Sequence, residues 1–576
     1  MGDTEIGDKL SSKWSPKQGG YRAATFIFIM SGLESIGFVA NMVSLVLYFM
    51  IVMKFDLAGA STTLTNFCGS IFFLSIIGGI ISDAYINRLN TTIIFGSIEI
   101  LSHYQSLQPH CPLNCIAGKD ALMFYASLAF LALGAGGVRG SLPSLGADQF
   151  DRNNPKERKN LASFFNWLLM SVTIGASIGV TAIVYVSVNK KKWDLAFFIS
   201  MVLALAGFIV VALGKPFYRV RIPGDSPLIR VIQVLVAAIR NSRLQLPEDP
   251  AELYEPDTKS ESEFKNIPHT NQFKFMDKAA IPQKETTRRP WKLCTVTQVE
   301  EAKIMARMLP ILLSTIIMNT CLAQLQTFSI EQGQMMDLHL GSYLFPSASV
   351  PVIPLVFMSL LIPIYEFLFI PFMRRFTGHP SGITHLQRVG VGLVLSAISM
   401  AVAGLVEVKR RNAFNDHQEK ISLFWLSFQF GIFGIADMFT LVGLMEFFYS
   451  EAPSGMRSLS TSFSYLSLSF GYFLNSVLVK VINLVTERVT PSRQGWLFGT
   501  DFNKNNLDLF YWFLAILSCI NFGNYVYWAK WYKYKEEEEV VEVKKDESAA
   551  VDGGGQMPIL RREEPVGAVE ETIGSS

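Results

Sequence analysis

Seven ionisable residues stand in stretches that otherwise hold almost no charge: Glu34, Glu99, Arg139, Glu366, Arg388, Asp437 and Glu446. An acid in such a place can bind and release a proton. A guanidinium can grip a carboxylate through charge-assisted hydrogen bonds. Glu34 is the only charge between Arg22 and Lys54, which makes it a candidate site residue. Arg139 lies 18 residues beyond Ala121, just after Leu-Gly-Ala-Gly-Gly-Val, and glycines 134, 136 and 137 allow helices to approach closely. Asp437 lies 16 residues beyond Ile421, in Gly-Ile-Phe-Gly-Ile-Ala-Asp. A deep cation in one half of the chain and a deep anion in the other can neutralise each other, so the spacing predicts an Arg139–Asp437 salt bridge. Arg388 opens its stretch, Glu446 closes one, and Glu366 precedes Arg374 by 8 residues. These three suit clamps between helices or structural roles. Asn41, Asn166, Asn319 and Gln324 have two readings, a hydrogen bond between helices and a contact to substrate.

Such residues need elements that place them in a membrane. Only 17% of the 576 residues are charged and 50% are hydrophobic, against about 25% charged in a soluble domain. The net charge of +2 gives no field for gripping nucleic acid, and 6 Cys cannot staple a chain of this length. Uncharged runs recur at Leu57 to Ser82, Ala121 to Val138, Asn160 to Asn189 and Leu195 to Gly214. They resume at Met308 to Ile330, Leu338 to Tyr365, Val389 to Val406, Ile421 to Ala436, Ser458 to Val479 and Leu509 to Ala529. With the Glu34 stretch these make 11 spans, each near the ~20 residues a spanning helix needs.

A twelfth is short. Thr91 to Leu101 is apolar but holds Glu99, and Ser102-His103-Tyr104-Gln105 follows; ~11 residues rise ~16 Å, about half a hydrocarbon core. Loop charges favour 12 spans with a cytosolic N-terminus: 11 Lys or Arg fall inside, Arg88, Arg374 and Arg457 among them, and 8 outside, including Lys409, Arg410 and Arg411. The expected fold is an all-α polytopic membrane protein. It has a cytosolic N-terminus (1–20), a six-helix bundle (21–218), a cytosolic linker with an amphipathic helix at Ser226 to Arg243 (219–300), a second six-helix bundle (301–534) and a disordered cytosolic tail (535–576). Met1 to Gly20 is too polar for a cleavable signal. Cys111 and Cys115 fall in an expected outer loop, where a disulfide is one of two open readings. Phosphate-binding loops, His-Glu-x-x-His and zinc-type Cys arrays are missing, so an enzyme is disfavoured and no cofactor or metal is expected.

The loop after the second run, Gly79-Ile-Ile-Ser-Asp83-Ala-Tyr-Ile-Asn-Arg88, resembles the loop motif of the major facilitator superfamily, in which the Asp and Arg hold one gating conformation. Longer stretches narrow the likeness. Gly136-Gly-Val-Arg-Gly-Ser-Leu-Pro-Ser-Leu-Gly-Ala-Asp-Gln-Phe-Asp151, Ala162-Ser-Phe-Phe-Asn-Trp167, Gly214-Lys-Pro-Phe-Tyr-Arg219, Glu446-Phe-Phe-Tyr-Ser-Glu-Ala-Pro453 and Asn505-Asn-Leu-Asp-Leu-Phe-Tyr-Trp512 resemble the plant nitrate transporter 1/peptide transporter family. Phe55-Asp-Leu-Ala-Gly and Met318-Asn-Thr-Cys-Leu-Ala-Gln-Leu-Gln-Thr-Phe328 look most like its abscisic acid and gibberellin importers.

That resemblance implies the major facilitator superfamily fold and a proton-coupled importer working by alternating access. Low-affinity nitrate or peptide transport, or a transporter-like sensor, are the alternatives it leaves. Its partners would be protons, a small anionic organic substrate and the bilayer, with no nucleic acid; a regulatory kinase and homo-oligomers stay open. The plasma membrane is the expected location and the vacuolar membrane the alternative. Three departures stand out. The first-helix Glu-x-x-Glu-Arg of the family, linked there to proton coupling, is reduced here to Ser31-Gly-Leu-Glu34-Ser35, so the resemblance leaves Glu34 as the proton-coupling residue. The seventh helix has Leu322 where nitrate carriers of the family have a His, so an organic acid with an apolar body fits better, with Arg139 taking its carboxylate. The third helix is about two turns short, which suggests a deletion or an alternative transcript.

Overall fold

In hydrocarbon no water satisfies backbone N–H and C=O groups, so apolar runs must close their hydrogen bonds internally as helices. The computed structural model describes residues 18–534 except 54, 56, 106–118, 152–153, 221–226, 248, 256–266, 268, 283–290, 341–342, 346–348, 378–381, 454–455, 490–494 and 498–504. Cys111 and Cys115 lie outside these residues, as does the tail from Lys535 that was expected to be disordered.

The first half comprises α1 (Gly20–Ile51), α2 (Leu57–Ala84), α3 (Arg88–Gln105), α4 (Lys119–Ala147), α5 (Pro155–Val184) and α6 (Trp193–Leu213). A linker helix, α7 (Pro227–Arg240), leads to the second half. There α8 (Val296–Ser314), α9 (Ile316–Leu325) and α10 (Phe328–Gln334) form one broken span. A two-stranded hairpin follows, β1 (His339–Leu340) antiparallel to β2 (Tyr343–Leu344). Next come α11 (Val352–Ile364), continued through a π turn into α12 (Ile370–Thr377), then α13 (His385–His417), α14 (Leu426–Glu451), α15 (Arg457–Val489) and α16 (Leu507–Trp531). Among the described residues 10 helices are long and apolar enough to span, and the pair α8 with α9–α10, bent by 40°, makes up to 11. These correspond one to one with the 11 runs expected. Lys530–Ser576 forms a unit of its own, whose described residues finish the last helix at Trp531.

Several boundaries differ from the sequence reading, two of them for one physical reason. Runs were ended at charges, but paired charges continue the helices. α3 has 18 residues, about 27 Å of rise, because Arg88 is neutralised by Asp83 and Asp148 and so starts the helix. α8 begins at Val296, inside the stretch assigned to the linker, with a Thr295–Gln298 capping box. Leu338 to Tyr365 is not one helix: the hairpin occupies its start and the helix opens at Val352, behind Pro351.

The ends of the spans next to α7 form the linker side. α7 buries Val234, Ala237 and Ala238 against Leu253, Met276, Ala279, Ala280, Val299 and Ala302, and Arg230 bridges to Glu301 at 3.0 Å. Burial in this small core pushes the Cys294 thiol up to about 11. Side chains such as Phe130, Leu213, Phe367, Leu405, Leu484 and Ile520 project outward, as a lipid-facing surface requires.

The halves meet chiefly where α15 lies along α2, and α11 along α5. Small hydroxyl side chains line the first seam at 7-residue intervals. Ser462 donates to Ser75 O (3.1 Å), Ser469 to Gly69 O (2.7 Å), and Ser476 shares a hydrogen bond with Thr65 (2.8 Å). Gly79 permits the contact, because a Cβ there would sit 2.7 Å from Ser462 Oγ.

Candidate functional site

Arg139 on α4 reaches Glu34 on α1, with Nη2 donating to Oε1 at 3.1 Å. Its Nη1 donates to Ala135 O at 3.1 Å, and the guanidinium carbon lies 3.8 Å from the centroid of the Phe38 ring. Glu99 on α3 is 1% exposed and faces both charges electrostatically. α4 packs onto the backbone at Glu99 because Gly134 has no side chain: a Cβ there would lie 2.7 Å from Glu99 Cα. Among the described residues, the site gathers two carboxylates around one guanidinium.

Aromatic rings stand between this cluster and the second half. Phe72 on α2 stacks on Tyr465 (6.0 Å between centroids, 5° between planes) and on Tyr472 (5.8 Å, 25°), both on α15. Tyr465 faces Arg139 and Glu34, while Tyr472 faces Asp437 and donates to Gln326 Oε1. Asp437 on α14 forms no ion pair among the described residues. The expected Arg139–Asp437 salt bridge is therefore not present in this conformation. Arg139 pairs instead within its own half, with Glu34.

Asp83 and Arg88 act on the linker side. Arg88 donates to Asp83 Oδ1 from Nη2 (2.8 Å) and Nε (3.3 Å), and also bonds Asp148. Asp83 Oδ2 accepts from the Leu459 backbone N–H at 3.0 Å, so a carboxylate from the first half satisfies an open donor in the first turn of α15. Asp148 accepts from Tyr449 Oη at 2.8 Å and lies 3.6 Å from Arg457. Gly79, Asp83 and Arg88 thus sit in one network that crosses between the halves.

A second network crosses between α5 and the α11–α13 region. Asn166 Nδ2 donates to Glu366 Oε2 (2.8 Å), and Asn166 Oδ1 accepts from Arg388 Nη2 (2.7 Å). Ser163 also bonds Glu366. Glu446 approaches Arg388 at 3.7 Å and His385 at 3.5 Å, and Arg388 lies 4.5 Å from the Tyr365 ring. Asn166 is thereby committed to the clamp. The other amides bond between helices as well: Asn41 accepts from Ser200 (3.3 Å), Asn319 donates to Ser467 (2.9 Å), and Gln324 bonds Asn475.

Two features escaped the sequence reading. Glu407 and Arg410, a buried pair at 2.7 Å on α13, fell beyond a run that ended at Val406. Glu331 fell one residue beyond Ile330, yet it is 7% exposed on α10. In the linker, His269, Asp277 and Glu300 are close enough to hold a metal. Lys303 Nζ lies 2.7 Å from both acids and already supplies the cation.

Residues 57–497 match the model of the POT family. The chain is 40% identical over 535 residues to Protein NRT1/PTR FAMILY 4.4 of Arabidopsis thaliana, covering 90% of this chain and 88% of that protein. It is 40% identical over 541 residues to Protein NRT1/PTR FAMILY 4.5 of the same plant, covering 90% and 94%. Among solved structures, the POT family transporter PepTSo aligns with a TM-score of 0.61 at 18% identity, over 89% of this chain and 99% of that one. An auto-inhibited POT family peptide transporter gives 0.59 at 19%, over 89% and 97%. The helices, the inter-half networks and these likenesses agree: the chain belongs to the POT family, the NRT1/PTR family of multi-pass membrane transporters.

Proposed function

We propose that this transporter imports a small organic anion with an apolar body, of the abscisic acid or gibberellin kind, by proton-coupled alternating access at the plasma membrane. The observation that carries the reading is the Glu34–Arg139 pair at 3.1 Å beside Phe38 and facing Tyr465, whose ring stacks on Phe72. Glu34 and a substrate carboxylate compete for one guanidinium. A proton on Glu34 ends its hold on Arg139, which then takes the substrate anion, so proton and anion load together. The phenyl and phenol faces offer surface to an apolar body, and Leu322 adds hydrocarbon rather than a donor. Asp437 is the partner for Arg139 in the opposite conformation, once the ring stack has parted.

With the linker side facing the cytosol, the networks around Asp83 and Asn166 close the cytosolic exit. Movement of the halves against each other must break them before the cargo leaves. The amides Asn41, Asn319 and Gln324 serve first as pins between helices, and a substrate contact from them requires those pins to shift.

The test is uptake of radiolabelled abscisic acid, gibberellin, nitrate and a dipeptide into proteoliposomes, with and without an inward proton gradient. Gradient-driven accumulation of an organic acid supports the reading, whereas nitrate or dipeptide alone would replace its substrate class.

A further inference from the structure

The far half of the broken span carries a carboxyl that the central site does not use. Glu331 on α10 is 7% exposed, and neither of its oxygens accepts a hydrogen bond among the described residues. Two cations of α13 are already paired. Arg410 pairs with Glu407 (2.7 Å) and Arg411 with Asp508 (2.9 Å). Gln332 Nε2 donates to Glu407 Oε2 (2.7 Å), the Tyr511 hydroxyl bonds Ser329 (2.7 Å), and Gln429 Nε2 donates to Ser329 Oγ (3.1 Å).

Two further acceptors in this cluster, Gln332 Oε1 and Gln429 Oε1, are buried without a donor among the described residues. A carboxylate withdrawn from water with neither donor nor cation is strongly unfavourable. A bound proton removes the charge and turns one oxygen into a donor, which such acceptors can receive. We propose that Glu331 is a second proton-binding site, loaded while α10 is docked against α13, α14 and α16 and emptied when α10 leaves them.

The break beside α10 gives this site a route to the centre. Gln326, at the joint between α9 and α10, accepts from Tyr472, whose ring stacks on Phe72. An occupant that parts the ring stack therefore shifts a joint of the helix that bears Glu331. The inference rests on the proton-coupled reading for its role in transport, but its test needs no substrate.

Full-length protein in phosphatidylcholine proteoliposomes is treated with dicyclohexylcarbodiimide, an apolar reagent that adds to protonated carboxyls, at a series of pH values. Modified peptides are then mapped by mass spectrometry. Glu331 is expected to be labelled, its labelling falling several-fold as pH rises, while the ion-paired Glu407 stays unmodified. Glu331→Gln should remove that one modified peptide, and Glu331→Asp should retain it. Glu34 is scored in the same digest, so failure of the central proton site and failure of this one are read separately. Absence of label on Glu331 in the wild-type protein at every pH would overturn the proposal. So would label that sodium or potassium suppresses at constant pH, since the site would then hold a metal cation.

Discussion

The carboxylate of Asp83 accepts the backbone N–H of Leu459 at 3.0 Å, joining a loop in the first half of the chain to a helix end in the second. The same carboxylate holds Arg88 at 2.8 Å, so one residue both neutralises a buried cation and closes the interface.

Asp83→Ala removes both functions at once. Buried hydrogen bonds to charged groups contribute about 1.5–3 kcal/mol each, enough to shift the balance between conformations by an order of magnitude or more. A single cysteine introduced on the linker-side face of α15 should react with a soluble maleimide several-fold faster in the variant. Unchanged reactivity would show that this network does not hold the interface.

Glu34→Gln keeps the shape of the site and removes its titration. Uptake by the wild-type protein should rise as the outside is acidified, because a proton on Glu34 releases Arg139 for the anion. In the variant, uptake should lose its pH dependence and its response to a proton gradient, while counterflow exchange of substrate continues. A variant that still concentrates substrate against a gradient would place the coupling elsewhere.

Arg139→Ala and Asp437→Asn should each abolish uptake with normal abundance at the cell surface. The first removes the anion grip, and the second removes the carboxylate to which Arg139 moves in the opposite conformation. Full activity in both, measured as initial uptake rate per surface-labelled transporter, would refute these roles.

Arg388→Ala breaks the α5–α13 clamp and removes the guanidinium that faces Glu446 at 3.7 Å and Asn166 at 2.7 Å. Breaking a buried pair from one side costs about 3–5 kcal/mol, so thermal unfolding followed by intrinsic fluorescence in detergent should move several degrees lower. Asn166→Ala, which leaves the charges paired, should shift the midpoint less and the transport rate more.

Phe72→Ala leaves the charged cluster intact and takes out the ring between Tyr465 and Tyr472. Uptake of bulky apolar acids relative to small anions should fall several-fold. An unchanged preference would show that the aromatic stack does not select the cargo.

Much of this architecture was legible in the sequence because hydrocarbon admits few charges. Spans such as Trp193–Leu213 and Leu507–Trp531 announce themselves, and the loop pattern Gly79–Asp83–Arg88 sits where the halves meet. The errors share a cause. An uncharged run ends at a charge by definition, so Glu331, Glu407 and Arg410 fall outside the runs, although all three are buried in helices and Glu407 is paired with Arg410. Arg410 was even counted among outer-loop cations, while the fold buries it against Glu407. Partner choice was harder still. Asp437 is as deep as Arg139 along the sequence, but depth does not tell which residues face each other, and the nearer acid, Glu34, took the guanidinium. The amides look alike in sequence, and only the packing reveals that Asn166 bridges two charged residues while Asn41 meets a serine.

The hydroxyl-lined seam between α2 and α15 bears on how such a molecule can move at all. Ser462 bonds Ser75 O across the seam but also Ser458 O on its own helix, at 2.8 Å. Thr65 likewise bonds both Ser476 and Thr62 O, and Thr461 both Ser144 and Ser458 O. Ser462, Thr65 and Thr461 therefore each have a resting place at home. When the seam parts, the protons of these three are not stranded in oil, because they keep an acceptor on their own backbone.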